Sequence, residues 1–407
     1  MDMTLNRSYS RNTLILVLIG VVSFFVWLSI TLQYSNPEKD TDFLQDYLAG
    51  KGVFQAHSIY GPFNPSQFNR ADHEKAIWGF HPPTVAPFFV PFALLPFPVA
   101  FILFSVINFF LFILLLRSCR KNLYKGDLPE WVFGLFLLWY PFTFCIARGQ
   151  LSVILAVLLL GVARALHLKR DTQAGFFLGI AIVLKIFPGI CCLYLILTRR
   201  WVALFATGLT SVGFLILTIA VVGMSDVQLY FKEIATINIE WYSTHYINIS
   251  LNNLIAPLFV LNTWVENLIT WPLVARVFYL SVAVGIVCTL SWLTLKFEPP
   301  GTSFNWGVFY TYVTASTIVS PISWEHNFLI ALPGFVFFFS RFSRFEQRLF
   351  GGIVLFLGLP LVNLIGPVIQ FYAPLKVGVL GFLVTRLHTI GIGLVLLLYT
   401  RNLAVSD

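Results

Sequence analysis

A few residues with chemically useful side chains stand out between the apolar runs of this sequence. Asp42 and Asp46 are one helical turn apart after the first run, and His81 precedes two prolines. Arg148 stands at the junction of two later runs, and Lys185 lies inside an apolar segment. A carboxylate can accept a proton from a reacting hydroxyl, and a positioned cation can stabilise a developing anion. These residues are therefore candidates for a general base and for anion binding.

All of these residues except the lysine also have a purely structural interpretation. Asp42 and Asp46 could be solvated or helix-capping carboxylates, and His81 could pack beneath a loop. Arg148 could anchor an interface by extending its guanidinium to lipid headgroups. Lys185 differs because a charge within an apolar run is costly, which makes it a functional hypothesis by default.

Further polar candidates lie between later apolar runs. Three are amides, which commonly cap turns, and the other two are a neighbouring glutamate and histidine that could form a local pair. They are Gln150, Asn248, Asn252, Glu325 and His326.

The composition indicates the environment in which these side chains operate. The chain has 407 residues, of which 58% are hydrophobic and 11% charged, whereas ordinary soluble domains are about 25% charged. The formal net charge of +8 comes from short basic clusters between apolar runs, which is the positive-inside pattern rather than a phosphate-binding face. The five cysteines show neither metal-site nor disulfide spacing. We therefore expect the lipid bilayer, and no nucleic acid, as a partner.

The lengths of the apolar runs predict the fold class. Runs near twenty residues match the thickness of the hydrocarbon core, so we predict an all-α, polytopic membrane helix bundle with about ten to twelve transmembrane helices. Residues 1–407 would form a single integral membrane domain. The first run is too long for a cleaved signal peptide. The runs are 13–33, 97–116, 131–147, 151–167, 201–222, 273–295, 304–321, 327–340, 348–370 and 379–400.

One further apolar segment, 173–198, is interrupted by Lys185 and Pro188. As one straight helix it would be roughly 39 Å long. A backbone break at membrane depth is tolerated only where protein or a water-filled cavity covers it. We therefore predict two short segments, 173–185 and 188–198, which turn back on each other.

The basic clusters predict the topology. With the N-terminus in the cytoplasm and the segment 173–198 turning back, every later basic cluster falls on the cytoplasmic side. Loops 34–96 and 223–272 then lie outside, and nearly all the unusual polar residues lie at or near the outer face. This clustering predicts a multi-pass cell-membrane protein with an extracytoplasmic site.

The order of several motifs resembles the polyprenyl-phosphate-mannose-dependent α-mannosyltransferase family, which belongs to the C-type (GT-C) membrane glycosyltransferases. Each motif is weak alone, but together they cover about residues 40–330 in the right order and membrane context. The sequence departs from the family at Asp46, where an aromatic or apolar residue is common. The motifs are Asp42-Phe43, Ile59-Tyr60, His81-Pro82-Pro83, Gly149-Gln150, Lys185-x-x-Pro188, Asn248-x-Ser250-Leu251-Asn252 and Ser320-Pro321-Ile322-Ser323-Trp324-Glu325-His326.

The resemblance implies a GT-C-like hexosyltransferase that moves a sugar, usually mannose, from a polyprenyl-phosphate carrier to an acceptor hydroxyl on the outer face, with inversion. The acceptor would be a glycolipid or polysaccharide of the cell envelope. Asp42 would be the general base, with Asp46 as the alternative. The donor phosphate would be bound by Lys185, Arg148, His81 and His326, and the sugar or acceptor by Tyr60, Gln150, Asn248, Asn252 and Glu325.

We expect neither a metal nor another cofactor, because fixed cations already neutralise the phosphate. Asp40 and Asp42 form an Asp-x-Asp pair, which can hold a hard cation, although this spacing is common by chance. Two other functions stay open. Broken helices also mark substrate sites in transporters, so a transporter or flippase of a lipid-linked substrate is one. A ligase that transfers a whole glycan is the other.

Overall fold

The computed structural model describes residues 2–39, 41–55, 57–61, 79–245, 247–261, 269–360 and 379–405. Within these ranges the regular structure is helical and contains no strand, which confirms the predicted all-α class. Short 3-10 segments at Pro83–Val85, Phe187–Ile190 and Glu325–Asn327 adjoin candidate site residues. The helices are α1 Asp2–Tyr34, α2 Asp42–Gln55, α3 Ala86–Ala93, α4 Phe97–Asn122, α5 Glu130–Gly134, α6 Tyr140–Arg148, α7 Ser152–His167, α8 Asp171–Leu184, α9 Cys191–Leu197, α10 Trp201–Val222, α11 Met224–Leu229, α12 Ala235–Ser243, α13 Leu251–Ile255, α14 Pro272–Phe297, α15 Trp306–Val319, α16 Phe328–Phe339, α17 Arg344–Leu357 and α18 Val379–Val405.

Four of the helices in the described ranges are long and apolar enough to cross a membrane, namely Arg11–Tyr34 of α1, α4, α10 and α14. A fifth span results if Glu130–Leu138 and α6, which meet at an angle of 42°, are taken together. Several shorter apolar helices accompany them. The chain is thus a multi-pass membrane protein, while the number of crossings stays a prediction. Of the predicted run 348–370, residues 348–357 lie in α17, and residues 361–370 lie outside the described ranges.

The exposed faces of the long helices require a lipid environment. On α10, Phe205 is 74% exposed, Leu209 65% and Ile216 62%. An apolar face of this size in contact with water would drive aggregation. By contrast, α15 and α16 are buried along almost their whole length, as expected for helices that are apolar on every side and form the centre of a bundle.

Small residues allow α8 to pack closely against α10. A Cβ atom on Gly175 would lie 2.3 Å from the carbonyl oxygen of Ala203, and one on Gly179 would lie 2.6 Å from Cβ of Thr210. Close backbone approach at small residues is the usual way in which helices associate within lipid, where the hydrophobic effect gives little help. This contact fixes where the C-terminal end of α8, and therefore Lys185, is held.

The predicted return of the segment 173–198 is confirmed. Arg200, just after α9, forms an ion pair with Asp171 at the start of α8, with Nη1 and Oδ1 3.0 Å apart. The 14 residues of α8 extend about 21 Å at 1.5 Å per residue. The chain must therefore come back over this distance between Lys185 and Arg200, so Lys185 lies at the opposite end of the bundle from this ion pair.

Candidate active site

Asp42 occupies the first turn of α2. The hydroxyl of Thr41 accepts a hydrogen bond from the backbone N–H of Leu44, 3.2 Å away, which starts the helix and places Asp42 at its positive end. The Asp42 carboxylate accepts a hydrogen bond from Arg148 Nη2 at 2.6 Å and another from the Gln150 amide. Burial alone would raise the pKa of Asp42, but the charge and hydrogen bond of Arg148, assisted by His81 and Gln150, lower it to about 2.

The turn Arg148-Gly149-Gln150 brings two side chains to this carboxylate. Gly149 ends α6 in the left-handed conformation, with φ of 65°. A Cβ at this position would lie only 2.4 Å from Cβ of Phe43, so glycine is required both for the backbone conformation and for the space. The turn therefore presents Arg148 and Gln150 together to Asp42, the neighbour of Phe43.

Lys185 follows the last turn of α8 in an extended conformation, with φ of −148° and ψ of 129°. Its Nζ donates a hydrogen bond to Oε1 of Gln150 at 3.1 Å, while Nε2 of Gln150 donates to Asp42. Gln150, which is 3% exposed, thus joins the carboxylate and the ammonium in one hydrogen-bonded chain. The structure brings together Asp42, Arg148 and Lys185 as the sequence predicted.

Asp46 and His81 form a second pair beside the first. Asp46 lies one turn further along α2 and is 3% exposed, and its Oδ1 is 2.7 Å from Nδ1 of His81. The Tyr60 hydroxyl donates to the carbonyl oxygen of His81 at 3.3 Å, and Tyr60 is itself 2% exposed. The Tyr60 hydroxyl therefore helps to fix the backbone position of His81.

The Asp42–Gln150–Lys185 chain and His81 line one cavity of about 440 Å³, which is within the usual size range for small-molecule sites. Its polar lining includes Asp42, His81, Gln150, Lys185 and Asn327, and its apolar and aromatic lining includes Phe187, Ile190, Tyr230, Val319, Tyr242 and Trp324. An anion-binding side chain, a carboxylate and an apolar wall thus face one space, which suits a ligand with an anionic head and an apolar body.

The other predicted residues lie behind the cavity or away from it. His326 is 1% exposed, and its Nδ1 lies 2.7 Å from Oγ of Ser152. Glu325 is also buried, with Oε1 2.9 Å from Nδ1 of His388. Asn252 is partly exposed and lies outside the residues that line the cavity.

Asn248 also lies behind the cavity, and its amide is fully engaged by the protein. Its Nδ2 donates to the carbonyl oxygens of Tyr242 and Pro321 at 3.0 and 3.1 Å. Its Oδ1 accepts from the N–H groups of Ser250 and Ser323 at 3.0 and 2.9 Å. These bonds use the two donors and two acceptor positions of the side chain. Asn248 therefore connects two loops and has no capacity left for a sugar hydroxyl.

The comparison with known proteins gives the family. A model described as glycosyltransferase family 87 matches residues 80–321, well over half of the chain. The chain belongs to glycosyltransferase family 87. It is a membrane glycosyltransferase of the C type, as the motif resemblance implied.

Two further comparisons add little to this assignment. The family 87 chain is similar to ArnT from Cupriavidus metallidurans, solved in complex with undecaprenyl phosphate. The identity is 14% and the TM-score 0.43, over 95% of this chain and 77% of that chain; similarity at this level carries no weight for the substrate. No curated protein matches the sequence.

The family 87 match spans only part of the site. It includes His81, Arg148, Gln150 and Lys185, whereas Asp42 lies before its first residue. Asp40, the other half of the Asp-x-Asp pair, lies outside the described residues. The catalytic assignment of Asp42 therefore depends on geometry and on the motif resemblance.

Two polar residues that hold this family 87 site together are not indicated by the sequence. Ser152 connects His326 to Asn327, with Oγ 3.2 Å from Oδ1 of Asn327. Asp226 accepts hydrogen bonds from Oγ of Ser58 and the N–H of Ile59, both at 2.9 Å, and so holds the loop that carries Tyr60. A single serine or an aspartate in a loop gives no distinctive sequence signal, because both residue types are common at ordinary turns.

Proposed function

We propose that this family 87 protein transfers a hexose, with mannose as the first candidate, from a polyprenyl phosphate to an acceptor hydroxyl at the extracytoplasmic face. The observation that carries the proposal is the hydrogen-bonded chain from Asp42 through Gln150 to Lys185, on one wall of a cavity large enough for a sugar. A base and a cation on one wall are the two groups that such a transfer requires.

The cationic side chains suit a phosphate leaving group. A polyprenyl-phosphate sugar is a phosphodiester with one negative charge. Cleavage of the bond between the anomeric carbon and the phosphate oxygen leaves a phosphate monoester, which carries more negative charge. Lys185 lines the cavity. Arg148 pairs with Asp42, which is connected to Lys185 by the hydrogen bonds of Gln150. Fixed cations in a site of low dielectric stabilise such a developing charge without reorganisation.

Asp42 becomes a better base when the donor is bound. While it is paired with Arg148, its pKa of about 2 makes it a poor proton acceptor. A donor phosphate competes with Asp42 for the guanidinium of Arg148. When the Asp42–Arg148 pairing weakens, burial dominates and raises the pKa of Asp42. Donor binding would thereby prepare Asp42 to accept the proton of the acceptor hydroxyl.

The transfer itself is a single displacement. The acceptor oxygen attacks the anomeric carbon from the face opposite the phosphate, and the bond between that carbon and the phosphate oxygen breaks. Its electron pair goes to the phosphate, which remains on the lipid, and the hydroxyl proton goes to Asp42. Attack from the opposite face inverts the anomeric centre.

Asp46 has a different role in this proposal from that of Asp42. It pairs with Nδ1 of His81, which leaves Nε2 of the ring for the cavity. A carboxylate behind a histidine fixes the orientation and tautomer of the ring, as in hydrolase triads. Asp46 therefore orients His81 toward the phosphate, and Asp42 remains the base.

The test is transfer by the purified protein in liposomes. We expect label from a radiolabelled polyprenyl-phosphate mannose to appear in a component of native lipid extract, and Asp42→Asn to abolish this product. The matched control is Asp127→Asn, since Asp127 is exposed in the loop after α4. Failure of every polyprenyl-phosphate sugar in a panel that includes pentoses would overturn the donor class. Movement of the intact lipid-linked sugar across the bilayer without an acceptor would identify a flippase instead.

A further inference from the structure

The C-terminal helix α18 carries buried polar side chains that neither the sequence analysis nor the family match assigns, since that match ends at residue 321. Arg386 is 0% exposed, His388 2% and Thr389 3%. Polar and ionisable groups inside a membrane bundle are expensive to bury. Polar contacts or a functional role must therefore offset the cost of burying these side chains on an otherwise apolar helix.

Each of the three side chains contacts a different residue of two neighbouring segments. Nε of Arg386 donates to the carbonyl oxygen of Asn253 at 2.8 Å, and Oγ1 of Thr389 donates to that of Ile249 at 2.8 Å. Nδ1 of His388 lies 2.9 Å from Oε1 of Glu325. Residues 386–389 of α18 therefore hold both the segment at residues 248–253 and the turn at residues 320–327.

These contacts continue to the wall of the cavity. The N–H of Ile249 donates to the carbonyl oxygen of Ser323 at 2.9 Å, and Oγ of Ser250 donates to that of Pro321 at 2.9 Å. Pro321 and Trp324 line the cavity. Glu325 adjoins Trp324 in the chain, Ile249 reaches the wall through Ser323, and Asn253 reaches it through the hydroxyl of Ser250.

The cavity wall that α18 supports, at Pro321–Trp324, and the proposed phosphate-binding groups belong to different elements of the fold. The ring of Trp324 is 5.1 Å from that of Tyr242, and both line the cavity. Asp42 instead lies at the start of α2, and Gln150 and Lys185 follow the ends of α6 and α8. Aromatic faces pack well against the C–H faces of sugar rings. A rigid aromatic wall separate from the phosphate-binding groups is suited to an acceptor sugar.

We propose that Arg386, His388 and Thr389 are positioning residues that hold the Pro321–Trp324 wall in place for the acceptor, an inference that rests on the proposed transferase function. The acceptor class that this wall takes is a glycoside, whose ring packs on Trp324 and Tyr242 while its hydroxyl meets Asp42. The donor phosphate does not depend on this wall.

The kinetic test uses His388→Gln and Thr389→Val in the full-length protein. We expect each variant to raise the KM for the acceptor about tenfold, less than the roughly hundredfold cost of a 1 Å misplacement of reacting groups. The KM for the donor should be unchanged. Thr400→Val is the matched control on the same helix, because among the described residues its hydroxyl bonds to the helix backbone at Leu397 alone. Glu325→Gln combined with His388→Gln should cost no more than the costlier single variant, because both remove one pair.

A second measurement is independent of activity. Hydrogen exchange in His388→Gln should become faster at residues 320–327 and stay unchanged at residues 183–187, which carry Lys185. Equal loss of donor and acceptor kinetics, with faster exchange throughout, would show that α18 only maintains the fold and would overturn the proposal. Unchanged exchange at 320–327 would also overturn it. Absence of transfer in the wild-type protein, with the local exchange change present, would instead disprove the proposed function and the acceptor assignment.

Discussion

The carboxylate of Asp42 and the guanidinium of Arg148 form an ion pair with Oδ1 and Nη2 2.6 Å apart, although 106 residues separate them in the chain. The side chain of Asp42 is 13% exposed and that of Arg148 27% exposed. The pair is therefore only partly shielded from water, and a phosphate that enters the neighbouring cavity can compete for the arginine. The proposed mechanism depends on this competition.

Asp42→Asn should reduce transfer by at least about a hundredfold, the lower end of the effect of a general base. The amide keeps the size of the side chain and can still bond to neighbouring groups, so donor binding should persist. Initial rates and equilibrium binding of the lipid donor check this. Asp46→Asn should act less strongly. If Asp46→Asn abolished transfer and Asp42→Asn did not, the base would be Asp46.

Arg148→Gln should move the acid limb of the pH profile of kcat/KM to higher pH. Asp42 must be ionised to accept a proton, so transfer fails as the pH falls below its pKa. Arg148 lowers that pKa to about 2 against the opposing effect of burial. Without the cation the pKa should rise by about one to three units. Activity would then be lost at a pH where the wild-type protein still transfers sugar.

The control for the pH experiment is Arg148→Lys, which keeps the positive charge. Its acid limb should stay closer to that of the wild-type protein than the limb of Arg148→Gln does. The profile must be measured with each variant shown to be folded at the lowest pH used. An unchanged acid limb in Arg148→Gln would mean that Asp42 is not the group whose ionisation limits the rate.

Lys185→Met should lower kcat by about 10²- to 10³-fold, the usual effect of removing one group that stabilises a transition-state charge. Methionine retains an unbranched side chain of similar length, and Gln150 loses only one hydrogen-bond donor. Transfer rates at saturating donor measure the effect. Lys125→Met, at an exposed site in the loop after α4, provides the matched control. A normal kcat with only a raised KM for the donor would assign Lys185 to ground-state binding.

The sequence predicted the features that depend on local patterns. The break at Lys185 followed from a charge and Pro188 within an apolar run, and the return of the chain followed from the charge rule; the Arg200–Asp171 ion pair confirms it. The gathering of Asp42, Arg148 and Lys185 followed from predicted topology. The break needed only the residues around Lys185, whereas the topology needed the basic clusters along the whole chain, each of which is itself a local pattern.

Local sequence patterns do not predict contacts between residues that are far apart in the chain. Nothing in the sequence shows that Asn248 would use its whole amide on Tyr242, Pro321 and neighbouring backbone groups, so it was assigned to sugar binding. The buried Arg386 and His388 lie within a run that reads as an ordinary lipid-facing span. Their partners, Asn253 and Glu325, are identifiable only when the helices are packed.

Transfer should not require a divalent metal, because the positive charge at the phosphate comes from Lys185 and Arg148. Incubation with a chelator should leave the initial rate within about twofold of the untreated protein, since no charge essential to the transition state is removed. The comparison needs a control enzyme with a known magnesium requirement under the same conditions. Loss of transfer with the chelator and its recovery with magnesium or manganese would instead assign a cation to Asp42 and its neighbours.

Gly149→Ala should reduce both the stability and the activity of the protein. The left-handed conformation at φ of 65° costs a residue with a Cβ about 1–2 kcal/mol. The new methyl group would also stand 2.4 Å from Cβ of Phe43, so the turn or α2 must shift. Such a shift separates Arg148 and Gln150 from Asp42, and activity should fall more than the folded fraction does. Thermal unfolding in detergent, measured beside transfer rates, tests both effects. Gly208→Ala on α10 is the matched control, because a Cβ there meets no atom within 4 Å; equal losses in the two variants would contradict the role given to the turn.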